Sequence, residues 1–202
     1  MDEHYFTADP SAPFPRTTAK TEVWGRTMRM VTGGGVFSHG RLDLGTGVLF
    51  RTTPPPTEGR TYLDLGCGYG VIATALALAR PEATVWAVDV NRRALLLTTE
   101  NVVIAGVEER VRIAEPDQVP ADLQVDEIWS NPPIRIGKEA LHALLLQWLP
   151  RLRPGGRAVL VVGKNLGADS LQRWLGDQGW PTTRLASAKG FRVLETRRAE
   201  QP

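Results

Sequence analysis

Residues 61–70 read Thr-Tyr-Leu-Asp-Leu-Gly-Cys-Gly-Tyr-Gly, an apolar run that passes into a glycine-rich loop, and a helical pattern begins at Val71. Glycines allow the positive φ angles and the close backbone approach that a ligand-binding loop needs. In an open α/β sheet, ligands bind at such strand-to-helix turns. Asp89 ends the next apolar run, where an acid accepts hydrogen bonds from ribose hydroxyls. The pattern therefore predicts a nucleoside-binding site at this loop.

Strand-like and helix-like segments alternate regularly after residue 60. The pattern predicts strands at 61–65, 84–89, 111–114, 125–130, 157–162, 182–186 and 191–197, a turn at 154–156, and helices at 71–80, 92–105, 138–149 and 168–178. Helices of this length between strands indicate a mostly parallel α/β sheet that is covered on both faces. The last two predicted strands, 182–186 and 191–197, are expected to form a hairpin that adds one antiparallel strand to the sheet.

The region before residue 61 has weaker patterns. Residues 1–34 are rich in Pro, Thr and Arg, which predicts an irregular or short-stranded extension packed on a main domain at 35–202. Residues 52–60 contain three consecutive prolines, which remove backbone donors. This connector is predicted to form either the first turn of a short helix or an extended spacer.

Composition excludes several classes of protein. The chain has 202 residues, of which 42% are hydrophobic and 23% charged, so it is neither disordered nor fibrous. No apolar run approaches the ~20 residues that span a bilayer, and the N-terminus lacks the pattern of a signal peptide. One cysteine excludes an internal disulfide, and with three scattered histidines it argues against structural zinc. We expect a cytoplasmic protein with no metal and no membrane partner.

Two nucleoside cofactors compete for the predicted loop. Dinucleotide enzymes use Gly-x-Gly-x-x-Gly and bind a pyrophosphate, whereas this loop has Gly66, Gly68 and Gly70 with the acid Asp64 close by. A carboxylate repels a pyrophosphate and suits a ligand with an ammonium group, which favours S-adenosylmethionine. Asp64 either binds that ligand directly or braces the loop, and Cys67 is interpreted as a small packing residue.

A second motif, Ser130-Asn131-Pro132-Pro133, ends a strand expected to lie beside the first one. With the loop, it resembles the class I methyltransferases that modify amino nitrogens. An aromatic or amide NH₂ is a poor nucleophile because its lone pair is delocalised. The Asn131 side-chain oxygen and the Pro132 carbonyl each accept one N–H in this interpretation, and the prolines stiffen the turn.

The resemblance extends to the ribosomal RNA small subunit methyltransferase C family. It is carried by residues 35–38, Asp43-Leu44-Gly45-Thr46, residues 131–138, residues 162–165 and Lys189-Gly190-Phe191-Arg192-Val193. The resemblance implies a Rossmann-like class I methyltransferase with a seven-stranded, mostly parallel sheet, one antiparallel strand and helices on both faces. It also implies S-adenosylmethionine as cofactor and methylation of guanine N2 in small-subunit ribosomal RNA.

The same resemblance implies the roles of individual residues. Around the cofactor it places Asp64, Gly66, Gly68 and Gly70, with Asp89 on the ribose. We expect the neighbouring Cys67 and Val90 to contact the cofactor as well. At the target amine the resemblance places Asn131 and Pro132. Glu115 is our choice for the contact with the adenine amino group, with Asp117 as rival. For the substrate we expect Phe37, Pro133, Ile134, Arg135, Lys138 and Lys164, the basic residues on RNA phosphate.

The sequence departs from the family pattern at two points. Longer members carry a second domain that helps to place RNA, and this chain is too short for one, so the particular nucleotide is not implied. Many amino methyltransferases have Phe or Tyr where this chain has Ile134, so base stacking requires another ring, from Phe37 or Tyr69.

Other functions remain open from the sequence. Alternative acceptors of the methyl group are a protein glutamine, DNA adenine or a small-molecule amine. A non-catalytic RNA- or cofactor-binding domain is a further alternative, and the glycine spacing disfavours a nicotinamide dehydrogenase.

Overall fold

The computed structural model describes residues 15–33, 42–133 and 136–200. Its strands are β1 (Arg16–Val23), β2 (Arg26–Gly33), β3 (Thr61–Leu65), β4 (Thr84–Val88), β5 (Val111–Ala114), β6 (Val125–Ser130), β7 (Leu152–Gly163), β8 (Thr182–Ala188) and β9 (Phe191–Arg197). Its α-helices are α1 (Leu44–Thr52), α2 (Val71–Ala79), α3 (Arg92–Ala105), α4 (Lys138–Trp148) and α5 (Ala168–Asp177).

Seven strands form one sheet in the order β5-β4-β3-β6-β7-β9-β8. The pairs from β5 to β7 are parallel, and β9 runs antiparallel to both β7 and β8. Apolar side chains pack on both faces of this sheet, Trp129 and Leu76 on one face and Ile128 and Trp148 on the other. The predicted fold class, with a single antiparallel strand, is confirmed. No described helix is long and apolar enough to cross a membrane.

One predicted turn is wrong, because residues 154–156 lie inside β7. The pairing of β7 with β6 shifts register between Val125 and Glu127, so these residues bulge out of the ladder. A Cβ at Gly156 would lie 2.8 Å from the carbonyl oxygens of Arg153 and Asp126, so only glycine fits there. The proline and glycines therefore mark a bulge within the strand and not its start.

Two elements before β3 lie outside the seven-stranded sheet, a hairpin and the helix α1. β1 and β2 form an antiparallel hairpin, and the Val31 N–H donates to Asn101 Oδ1 of α3 (2.6 Å). Helix α1, which the sequence did not predict, ends at Thr52, and the prolines after it form a spacer. The predicted domain boundary at residues 34 and 35 lies outside the described residues, so it stays a prediction.

Candidate active site

A cavity of about 340 Å³ opens at the carboxyl edge of β3, β4 and β6. The size suits a small-molecule site. Of the residues predicted from the sequence, it brings together Gly66, Cys67, Gly68, Asp89, Val90, Asn131, Pro132 and Pro133. Asp64, Gly70, Glu115, Lys138 and Lys164 do not line it. Phe37, Ile134 and Arg135 lie outside the described residues.

The loop after β3 is held in a tight, predetermined shape. The N–H groups of Gly66 and Cys67 both donate to the Val88 carbonyl, at 2.8 and 3.0 Å. Gly70 has φ +81°, and a Cβ there would lie 2.7 Å from a methyl carbon of Thr98. A side chain at position 70 would therefore be both strained and crowded, which explains the glycine.

Helix α3 braces this loop through two side chains that were not predicted from the sequence. Thr98 Oγ1 donates to the Gly68 carbonyl (3.0 Å), and Asn101 Nδ2 donates to the Tyr69 carbonyl (2.8 Å). Both side chains are fully buried. Polar residues spaced three apart on the inner face of a helix were the available signal, because buried polar groups require partners.

Asp89 lies at the end of β4 and is 4% exposed. One carboxylate oxygen accepts the Gly68 N–H and the other accepts the Asn91 N–H, each at 2.9 Å. A carboxylate side chain is able to accept several hydrogen bonds at once, and two of those at Asp89 come from the backbone. Asp89 thus ties the glycine loop to the cavity wall.

Asp64 is fully buried and braces helix α2. Its Oδ2 accepts the Ala73 N–H (2.8 Å), while Oδ1 has no hydrogen-bond partner among the described residues. Burial raises the pKa of Asp64 to about 8; the Ala73 N–H opposes this increase, and the charge of Asp89 adds to it. The sequence left open whether Asp64 binds the ligand or braces the loop. In the structure it braces helix α2 and does not line the cavity.

The raised pKa of Asp64 predicts a pH-dependent stability of the cofactor-free protein. Its carboxyl pKa is about 8 when folded and about 4 when unfolded, so its stabilising contribution is complete below about pH 4. That contribution is lost as the pH rises through 8. An asparagine in its place does not titrate, so the melting temperature of Asp64→Asn should rise relative to wild type between pH 5 and 9.

Differential scanning calorimetry of both proteins across that range measures the effect. The exposed Asp122→Asn is the matched control and should run parallel to wild type. The buried amide of Asp64→Asn shifts the melting temperature by an amount that does not depend on pH. The informative quantity is therefore how the difference in melting temperature between this variant and wild type changes with pH. Parallel curves for wild type and Asp64→Asn would contradict the prediction.

Cys67 lines the cavity but is not a reactive thiol. It is 5% exposed, and its Sγ lies 3.7 Å from Thr98 Oγ1. Burial, together with the charges of Asp89 and Asp64, raises the pKa of the Cys67 thiol. The thiol is therefore neutral at physiological pH, and a nucleophilic role is disfavoured.

The side chain of Asn131 is held in one orientation by α1. Its Nδ2 donates to Asp43 Oδ2 (2.7 Å) and to Thr46 Oγ1 (3.0 Å). An ionised carboxylate only accepts hydrogen bonds, so the NH₂ group must face Asp43 and the amide oxygen must face away from it. Asp43 also caps α1, by accepting the Thr46 N–H (2.9 Å).

Asp43 and Thr46 both line the cavity, and the sequence pattern predicted a role for neither. The available signal was Asp43 itself, because Asp is among the residues favoured at a helix N-cap. That signal predicts a helix cap. It does not predict that the capping side chain also holds Asn131, in the turn after β6.

The turn after β6 packs against the glycine loop. Ser130 Oγ donates to the Leu65 carbonyl (2.6 Å), and Pro133 Cδ lies 3.7 Å from where a Cβ would stand at Gly66. β3 and β6 are neighbouring parallel strands, so both motifs leave the same edge of the sheet. The two motifs therefore form one site, as the sequence analysis expected from their positions.

Three of the predicted contact residues that do not line the cavity are Glu115, Lys138 and Lys164. Glu115 accepts from Arg92 Nε (3.1 Å) and caps a short 3₁₀ helix, and Pro116 lines the cavity in its place. Lys138 and Lys164 are exposed, Lys138 at the start of α4 and Lys164 beyond the end of β7. Among the described residues, no group of three or more His, Cys, Asp or Glu side chains is arranged to hold a metal ion.

Comparison with known proteins places these features in a family. Residues 27–195 match the family model of the methyltransferase small domain. Uncharacterized protein YbxB of Bacillus subtilis (strain 168) is 29% identical over 201 residues, which cover 98% of this chain and all of that protein.

Two longer proteins are also similar. Ribosomal RNA small subunit methyltransferase C of Ectopseudomonas mendocina (strain ymp) is 36% identical over 177 residues, 85% of this chain and 51% of that protein. The Thermus thermophilus 16S rRNA N2 G1207 methyltransferase, solved with AdoMet and guanosine, superimposes with a TM-score of 0.75 at 24% identity. That match covers 95% of this chain and 52% of the other, so this chain spans about half the length of both.

Proposed function

The chain belongs to the methyltransferase small domain family, and we propose that it methylates the exocyclic N2 amine of a guanine in small-subunit ribosomal RNA. Membership confirms the predicted enzyme class: the chain is an S-adenosylmethionine-dependent methyltransferase. The base, the N2 position and the small subunit are our proposal, supported by similarity to the small subunit methyltransferase C family. The cytoplasmic location stays a prediction.

One observation carries this proposal, the fixed orientation of the Asn131 amide at the cavity wall. Asp43 and Thr46 hold its NH₂ group, so the oxygen remains as the acceptor for a bound substrate. The Pro133 carbonyl is occupied by the Ile136 N–H (3.1 Å), which leaves the Pro132 carbonyl as the second acceptor in our proposal. Two acceptors in one turn match the two N–H bonds of an exocyclic amine.

The charges around the cavity suit a cationic ligand. Asp43 and Asp89 line it, and no Lys, Arg or His does so among the described residues. This arrangement disfavours the pyrophosphate of a dinucleotide and fits the sulfonium and ammonium groups of S-adenosylmethionine. Asp89 would hold the ribose, and Val90 and Pro116 would contact the adenine. When bound, S-adenosylmethionine supplies an electrophilic methyl group.

The residues of the chain position the amine and do not need to deprotonate it first. Asn131 Oδ1 and the Pro132 carbonyl accept its two N–H bonds, which localises the nitrogen lone pair and directs it away from both acceptors. Once the nitrogen has become cationic its N–H is strongly acidic, so the proton passes to water and no catalytic base is required. This chemistry agrees with a site where the Cys67 thiol is neutral and where no histidine lines the described part of the cavity.

Transfer of a tritiated methyl group tests the proposed acceptor. The purified protein is incubated with small ribosomal subunits, large subunits, free ribosomal RNA, DNA and bulk protein. We expect label in small-subunit RNA, and mass spectrometry of its nucleosides should identify N2-methylguanosine. Label confined to protein, DNA or large-subunit RNA would contradict the proposal, and so would a methyl group on any other atom.

Asp43 is expected to act as a positioning residue for Asn131. Asp43→Ser retains a helix cap but is too short to reach Asn131, so we expect a turnover number about 10-fold below wild type. Asp43→Asn caps the helix and retains an oxygen that reaches Asn131, so its turnover number should exceed that of the serine variant. Single-turnover methyl transfer measures both.

The thermal midpoint of unfolding distinguishes an effect of each variant on the position of Asn131 from an effect on the folding of the protein. Ser and Asn are comparable N-cap residues, so the two variants should melt within a few degrees of each other. Equal turnover numbers for Asp43→Ser and Asp43→Asn would show that contact with Asn131 is unimportant. A difference in turnover at equal stability supports the positioning role.

A further inference from the structure

The tip of the β8–β9 hairpin reaches the same cavity, although β9 is separated from β6 by β7. The reason is its direction. β9 is antiparallel, so its first residue, Phe191, lies where the parallel strands end, opposite Gly163 at the end of β7. Phe191 is partly exposed and lines the cavity. Tyr69, one of the two rings expected from the sequence, also lines it but is only 4% exposed.

Helix α1 fixes the position of the Phe191 ring. A Cβ at Gly45 would lie 2.8 Å from Phe191 Cε1 and 3.1 Å from Cδ1, so the ring rests directly on the backbone of Gly45. The same first turn of α1 holds Asn131 through Asp43 and Thr46. One helical turn therefore positions both an aromatic face and the proposed acceptor of the target amine.

The two residues before Phe191 form a tight turn that a lysine occupies at a conformational cost. Lys189 has φ +48° and Gly190 has φ +80°. Both central residues of such a hairpin turn need positive φ, for which Asn, Asp and Gly are favoured. A lysine in this conformation is unusual, and such outliers are enriched at functional sites.

A second lysine is tied to this tip. The Lys164 N–H donates to the Gly190 carbonyl (2.7 Å), so Lys164 and Lys189 flank the same corner beside the cavity. Both are exposed, and neither ammonium has a carboxylate within 4 Å in the described part of the chain. The neighbouring Arg192 differs, because its Nε lies 3.2 Å from Asp169 Oδ1.

We propose that this hairpin tip is the nucleotide subsite of the enzyme: Phe191 stacks on the target base, and Lys189 and Lys164 bind the RNA phosphates beside it. The inference rests on the proposed function. Phe191 also supplies the aromatic ring that many amino methyltransferases have at the position after the second proline, where this sequence has Ile134. Stacking against Phe191 inside the cavity requires an unpaired or extruded base, the form in which proteins recognise RNA bases.

The test for the ring compares Phe191→Leu with Phe191→Tyr, using the small-subunit substrate, free RNA or assembled subunit, that wild type methylates. Loss of one stacking partner should lower kcat/KM for RNA by about 10- to 100-fold in the leucine variant. The tyrosine variant retains a ring and should stay within about threefold of wild type. The dissociation constant of S-adenosylmethionine, measured by calorimetry, should be unchanged in both.

The test for the phosphate contact uses Lys189→Gly, which suits the turn better than lysine and so preserves the fold. We expect an unchanged or higher thermal midpoint and weaker RNA binding. The slope of log Kd against log salt concentration should fall by about 1 relative to wild type. Lys189→Arg should retain the slope, and the exposed Lys20→Ala on β1 is the control that changes neither quantity.

The outcomes separate this inference from the proposed function. If wild type methylates RNA and Phe191→Leu does so equally well, the stacking role is overturned while the proposed function stands. Loss of S-adenosylmethionine binding in Phe191→Leu would place the ring in the cofactor site and overturn the inference as well. If wild type methylates no RNA at all, the proposed function itself fails. An unchanged salt slope in Lys189→Gly would overturn the phosphate contact.

Discussion

Asn131→Ala should lower the turnover number by on the order of 100-fold or more, the usual cost of removing one preorganised polar contact to a reacting group. The amide oxygen is held at the cavity wall by two hydrogen bonds to its NH₂ group, so it is already oriented before the substrate binds. Alanine removes the acceptor that would align the amine. Binding of S-adenosylmethionine should change by less than about threefold, because Asp89 and the glycine loop are untouched.

The fold should survive this substitution, since Asp43 still caps α1 through Thr46. Single-turnover methyl transfer and calorimetric titration measure the two quantities separately. Asn165→Ala is the matched control, because Asn165 is exposed and does not line the cavity. A turnover number near that of wild type in Asn131→Ala would remove the assigned role.

Asp89→Ala should raise the dissociation constant of S-adenosylmethionine by about 100-fold or more. The carboxylate accepts the N–H groups of Gly68 and Asn91, and its removal leaves both of these donors without that acceptor. It also removes the acceptor proposed for the ribose hydroxyls. Each hydrogen bond to a charged group is worth about 1.5–3 kcal/mol, so losing even one exceeds a tenfold effect.

Isothermal titration calorimetry measures this change, with Asp122→Ala as control because Asp122 is exposed and does not line the cavity. Asp89→Asn retains one carbonyl oxygen and should be intermediate. An unchanged dissociation constant in Asp89→Ala would show that the cofactor lies elsewhere. A thermal melt confirms that the variant is folded before binding is interpreted.

The core of the site was predictable because its parts are local in sequence. The glycine loop follows β3 directly, and Asn131 follows β6 directly. Parallel strands share one carboxyl edge, so identifying the strands already brings these segments together. Glu115 shows where such reasoning stops: it follows β5 at the expected place, yet its carboxylate contacts Arg92 and the neighbouring Pro116 lines the cavity.

The supporting residues were not predictable in the same way. Asp43 contacts Asn131 across 88 residues of sequence, and no local pattern encodes such a pairing. Phe191 lies near them only because β9 runs antiparallel and because Gly45 leaves room for its ring. These contacts depend on how helices and strands pack, which is a property of the whole chain.

The spacing of apolar residues and the positions of glycines are patterns that extend over only a few residues. For that reason the amino-acid sequence alone determined the layered α/β architecture and the ligand-binding glycine loop after β3. Tertiary packing decided the rest. It selected which face of the Asn131 amide is open to a substrate, placed the ring of Phe191 at the cavity, and buried Asp64 so deeply that its carboxyl braces α2. Burial and side-chain orientation are collective, because each depends on neighbours that the chain brings in from distant positions.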